Sequence, residues 1–225
     1  MTTPLQLHRL STPRAAAFAG VLFALLFGAA IVLIWYAVPT GDMPGSQWAV
    51  EGNTRIRVAS TLMPFAGIAF LWFIGVVRDG FGQLEDKFFS SVFLGSGLLF
   101  LAMVFGSMSV GMALAHSSTH VSDQSARSEV VAFGTMLLIA LSKTYAIRMG
   151  AVFMISLATI WLKTGLMPRW LVWSTYVMAV LLLVTADMSV WLALVFPIWV
   201  FLVSLMLLAR AGLIDMPGDG RERVV

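Results

Sequence analysis

Two groups of side chains have types and spacings that could do chemistry. The first is His116, His120 and Asp123, in the stretch HSSTHVSD. Their i, i+4, i+7 spacing puts two imidazoles and a carboxylate on one face if the preceding helix continues through them. Such a set can hold zinc and leave one position open for water. It would make a metal-dependent membrane enzyme, with Glu129 as the nearest offer of a general base. The bland reading is a Ser-rich loop in which two His and one Asp coincide. Haem fits less well, because bis-His ligation needs His at membrane depth and His8 lies in the N-terminal polar segment.

The second group lies in LSKTYAIRMGAVFMISLATIWLK, residues 141–163. At 100° per residue, Tyr145, Arg148, Ser156, Thr159 and Lys163 fall within about 80° of one another. An ionised Arg facing lipid costs several kcal/mol or more, so this face must turn toward other helices or a water-filled cavity. Its chemistry is then either a structural ion pair or a polar path or ligand pocket. Asp187, in the tight turn VTADMSV, is the expected partner of Arg148, with Glu129 and Asp123 behind it. Lys143 can snorkel to the outer headgroups.

The remaining residues restrict what these groups can be. Of 225 residues, 60% are apolar and 11% charged, against about 25% charged in soluble domains. Too little polar side chain is present to cover a water-facing surface, so the chain reads as an integral membrane protein. The absence of Cys removes thiolate metal sites, disulfides and Cys nucleophiles. No phosphate-cradling glycine loop, Ser-His-Asp order or intramembrane carboxylate pair is present. The net charge of +3 comes mostly from residues flanking apolar runs, which argues against nucleic acid as a partner.

A helix needs about 20 apolar residues to cross roughly 30 Å of hydrocarbon. The expected fold is all-α: a six-transmembrane helical bundle with spans at about 15–38, 58–77, 88–115, 143–163, 169–186 and 188–210. Residues 1–14 form a cytoplasmic N-terminal segment and 211–225 a flexible cytoplasmic tail. The first apolar run is too long for a secretory h-region and has no clear cleavage site, so it is expected to remain as an anchor.

Residues 129–142 are expected to form an extra interfacial or re-entrant helix with Ser128 as N-cap. The alternative is two short spans broken at Lys143–Arg148, giving seven. Cationic residues gather on the cytoplasmic side, and this decides between them. Six spans put Arg9, Arg14, Arg78, Lys87, Lys163, Arg169, Arg210, Arg221 and Arg223 inside, against Arg55, Arg57, Arg127 and Lys143 outside. Seven spans reverse the bias.

Two features bear on packing. Pro64 and Pro197 each remove a backbone donor within a span, freeing carbonyls near Ser60 and Ala193. Small residues recur every four positions at Ala16, Gly20, Ala24 and Gly28, and again at Ser107, Gly111 and Ala115. Such stripes let backbones approach closely, either within the bundle or between copies in a homo-oligomer.

The stretches Trp72–Phe100 and Ile147–Leu171, above all the turn TGLMPRWL with Arg148 upstream of it, resemble a family of uncharacterised multi-pass membrane proteins of actinobacterial type. The resemblance covers most of the chain from the second span onward. It implies a bacterial plasma membrane, supports the topology, and assigns no role to any residue. The expected function is a non-catalytic binding or accessory subunit with a polar intramembrane site at Arg148, Asp187, Tyr145, Ser156 and Thr159, without a cofactor. A small oligomeric transporter or channel using the same stripe, and the zinc enzyme, are the alternatives.

Overall fold

The computed structural model describes residues 12–37, 53–79, 87–120, 123–186 and 190–210. These are almost entirely helical: α1 (Thr12–Ala37), α2 (Asn53–Asp79), α3 (Lys87–His120), α4 (Gln124–Ile139), a π segment (Ala140–Ala146), α5 (Ile147–Thr164), α6 (Arg169–Thr185), a 3-10 turn (Val190–Leu194) and α7 (Val195–Arg210). Hydrocarbon offers no partner for a backbone N–H or C=O, so apolar segments satisfy these groups internally as helix. Five helical runs are long and apolar enough to cross a membrane, and α6 is a shorter apolar helix. The chain is therefore a membrane protein.

Helices joined by a turn or loop pack antiparallel, while α4 runs on through the π segment into α5. Arg55, at the start of α2, donates to the Tyr36 carbonyl at the end of α1 at 2.7 Å, where helix carbonyls lack intrahelical donors and attract cations. Along α3 and its partner, Phe93 stacks on Phe153 at 4.4 Å and Ser107 donates to the Leu138 carbonyl at 3.3 Å. Between α5 and α6 the chain turns at Gly165, whose φ of 67° ends α5 in a left-handed cap. Only glycine adopts that conformation without strain. Pro168 then precedes α6 in extended conformation.

The core is aromatic. Five helices each bring one buried phenylalanine to a common centre: Phe23, Phe70, Phe100, Phe153 and Phe196. Phe23 and Phe100 approach Phe70 at 4.6 and 5.5 Å, and Phe196 meets Phe100 at 4.6 Å. Tilted and edge-on pairs at these separations add roughly 0.5–1.5 kcal/mol each beyond burial. The rings fill the bundle axis.

The region after residue 123 differs from its expected form. Dihedrals stay right-handed helical from Ile139 through Ile147, so residues 124–164 form one uninterrupted helical run. No separate interfacial or re-entrant helix exists at 129–142, and the chain does not turn back at Lys143–Arg148. A widened i→i+5 turn absorbs the polar cluster that the sequence suggested was a break. Asp123, not Ser128, caps this run: its carboxylate accepts from the Ser125 amide at 3.0 Å, while Ser128 donates to the Ser125 carbonyl.

Pro197 also changes meaning. It lies near the junction where the 3-10 turn Val190–Leu194 runs into α7, so its missing donor falls at the change of helix type. Pro64 does interrupt a helix interior.

The small-residue stripes are packing seams within the chain at most of their positions. Gly111 faces Leu138 and Ile56, and a side chain added at Gly20 would collide with Ser204 and Phe73. Gly28 meets nothing within 4 Å, and the side chain of Ala16 lies outside the described residues. Gly20→Ala should therefore destabilise the protein by about 1–3 kcal/mol through overpacking. Gly28→Ala should leave the unfolding midpoint unchanged or slightly raised. Thermal unfolding in one detergent checks the pair.

Candidate functional site

The polar residues of the long run collect at and after the π segment. Widening the turn offsets carbonyls from their usual amide donors, and side chains take up the acceptors. The Leu138 carbonyl receives Ser142 Oγ at 2.7 Å and, from α3, Ser107 Oγ at 3.3 Å. The Thr144 carbonyl receives Arg148 Nη1 at 2.7 Å. Arg148 is half-buried and lies five residues from Phe153, about 7–8 Å along the axis. Its guanidinium reaches back one turn, away from the aromatic core, with the Thr144 carbonyl among its partners.

Farther along α5 the hydroxyls join helices together. Thr159 Oγ1 hydrogen-bonds Tyr176 Oη of α6 at 2.6 Å and donates to the Ile155 carbonyl. Ser156 is buried and bonds back to the Val152 carbonyl. In turn, Trp199 Nε1 of α7 donates to the fully buried Thr175 Oγ1 of α6 at 3.0 Å. Lys163 places its ammonium 4.4 Å from the centre of the Phe89 ring, a cation–π contact at the end of α5 that also suits the helix dipole.

The expected stripe is thus divided. Tyr145 is 55% exposed and Ser156 3% exposed. A uniform 100° per residue places them on one face, but Tyr145 lies eleven residues, about 16 Å, nearer the start of the run than Ser156. Thr159 and Ser156 are used in helix packing, leaving Arg148 and the π segment as the polar focus. Asp187 lies outside the described residues. Glu129 and Asp123 are removed as partners for Arg148. On a helix that does not fold back, Glu129 is 19 residues away, about 28 Å, and Asp123 is engaged in its cap.

The proposed metal ligands are placed in part. His116 Nδ1 donates to the Met112 carbonyl at 2.9 Å, and the Asp123 carboxylate accepts from the Ser125 amide and hydroxyl. The side chain of His120 lies outside the described residues. Among those described, no three His, Asp or Glu side chains come together as a metal set.

Three participants escaped the sequence reading: Tyr176, Thr175 and Trp199. Reflection through the turn at Gly165–Pro168 brings the first near Thr159, which lies six residues before the turn while Tyr176 lies eight after it. Compared with known proteins, the chain matches no family model, no curated protein sequence and no solved structure.

Interhelical hydrogen bonds in membranes contribute about 0.6–1.7 kcal/mol. Thr159→Val and Tyr176→Phe should each lower stability by about that amount. The double variant should lose less than the sum, in a double-mutant cycle read by denaturant unfolding in mixed micelles.

Proposed function

We propose that this chain is a non-catalytic multi-pass membrane protein that works as a binding or accessory subunit, with its polar site around Arg148. The observation that carries the reading is the filled centre. Phe23, Phe70, Phe100, Phe153 and Phe196 occupy the axis, where a transporter of a single chain would need a polar route. Thr159, Tyr176 and Thr175 are engaged in bonds between helices, and Ser156 and Thr164 bond back within their own helix. The test is extraction in a gentle detergent: a stoichiometric protein partner supports the reading, and isolation as a lone monomer overturns it.

In this reading the bundle crosses the membrane six times with both ends cytoplasmic. Supporting it, Gly20 and Ser204 lie close together, so the first turn of α1 and the last of α7 share one end of the bundle. The nine-to-four distribution of Lys and Arg makes that end cytoplasmic, in the bacterial plasma membrane that the family resemblance implies. The cysteine-free sequence makes labelling clean. A membrane-impermeant maleimide should modify Ser128→Cys in intact cells and leave Arg223→Cys untouched until the cells are opened.

We assign Arg148 an ion pair with Asp187. The Thr159–Tyr176 bond fixes the register of α5 against α6. Arg148 precedes Thr159 by eleven residues in the sequence, and Asp187 follows Tyr176 by the same number. Arg148→Leu and Asp187→Leu should each cost roughly 3–5 kcal/mol, and the double variant less than either prediction's sum, because a lone buried charge is worse than none. Simple additivity would dissolve the pair. Should Arg148→Ala alter ion or solute flux in liposomes without loss of folded protein, the oligomeric transporter reading gains instead.

A further inference from the structure

Ser60 holds an orphaned polar group. Its Oγ is buried and has no hydrogen-bond partner, whereas the neighbouring Thr61 hydroxyl bonds back to the Arg57 carbonyl at 2.9 Å. Its backbone is short of a partner too, because the residue four positions on is Pro64, inside α2, which has no N–H to donate. In a medium without water, each such group costs several kcal/mol.

The surroundings of Ser60 follow from one three-helix contact. A side chain at Gly111 would meet Leu138 of α4 at 3.3 Å and Ile56 of α2 at 3.7 Å, so Ile56, Gly111 and Leu138 lie at one level. Toward the aromatic core, the chain advances along α2 and α4 and recedes along α3. Four residues on, one helical turn, those directions lead from Ile56 to Ser60, from Gly111 to Ser107 and from Leu138 to Ser142. Three helical segments thus bring three serines to one layer beside the π segment. Two of their hydroxyls already converge on the Leu138 carbonyl.

We propose that this layer binds an ordered water molecule. Ser60 Oγ–H donates to the water. The water donates one hydrogen to the Ser60 carbonyl and the other to Ser107 Oγ, whose own hydrogen is committed to Leu138. That gives three hydrogen bonds, the usual number for a buried water, and satisfies both groups of Ser60. A monovalent cation would also find neutral oxygens here. Lys143, adjacent to Ser142, and Arg148 place positive charge along the same segment and oppose it. The inference stands independently of the Arg148–Asp187 pair.

The test begins with the native chain in nanodiscs, exposed to an X-ray pulse in water enriched in oxygen-18, so that a bound water generates hydroxyl radical in place. Met63 and Met108 are 2% and 8% exposed and neighbour Ser60 and Ser107, while Met154 lies fully buried elsewhere. Labelled sulfoxide should form faster at Met63 and Met108 than at Met154, and equal rates overturn the proposal. Ser60→Ala supplies a sign test. Loss of a bridged hydroxyl should lower the unfolding midpoint by roughly 2–4 °C, whereas an unchanged or raised midpoint means the hydroxyl held nothing. A midpoint that differs between sodium chloride and choline chloride would make the occupant a cation, which also overturns the proposal.

Discussion

Satisfaction of polar groups without water is the constraint on which this structure depends. The helices meet it for most of their backbone by the i→i+4 ladder, and most Ser and Thr hydroxyls among the described residues meet it by bonding back one turn, as Ser96, Ser156, Thr164 and Ser204 do. What remains is a small set of groups that must reach across helices. Those few bonds, Ser107 to Leu138, Thr159 to Tyr176 and Trp199 to Thr175, set the register of a bundle whose apolar contacts alone specify it loosely. Lipid is as apolar as the helix surfaces, so the distinction between the right and the wrong register rests on close glycine contacts and on these polar pairs.

The same constraint accounts for the π segment. A half-buried guanidinium needs acceptors, and the Thr144 carbonyl within the π segment is one of them. Widening the turn between Ala140 and Ala146 releases carbonyl capacity where Arg148 can use it, so the irregular backbone and the buried cation explain each other.

Much of this was legible in the sequence. The membrane class, the helical spans, the turn at Gly165–Pro168 and the intrachain seam at Ser107, Gly111 and Ala115 follow from hydropathy, turn chemistry and small-residue spacing. The continuity of residues 124–164 was not legible, because charge within an apolar run marks a loop in most chains, and a π turn carries no pattern of its own. The exposure of Tyr145 was not legible either, because helical periodicity gives a residue's face and not its depth along the bundle. Asp123 and Ser128 were both reasonable caps, and only the starting point of the helix decides between them. The Phe23–Phe70–Phe100–Phe153–Phe196 layer was hidden because a phenylalanine in an apolar span points as readily to lipid as to the core.

The uninterrupted run from Ser125 to Thr164 spans 40 residues, about 60 Å at the usual helical rise. Even tilted by 40°, the upper end of what membrane helices show, it outreaches a 30 Å hydrocarbon layer by roughly half as much again. Some of it therefore stands outside the oil, braced along its side by α3. The wide turn where the cations sit is the one departure from regular α-helix along that rod.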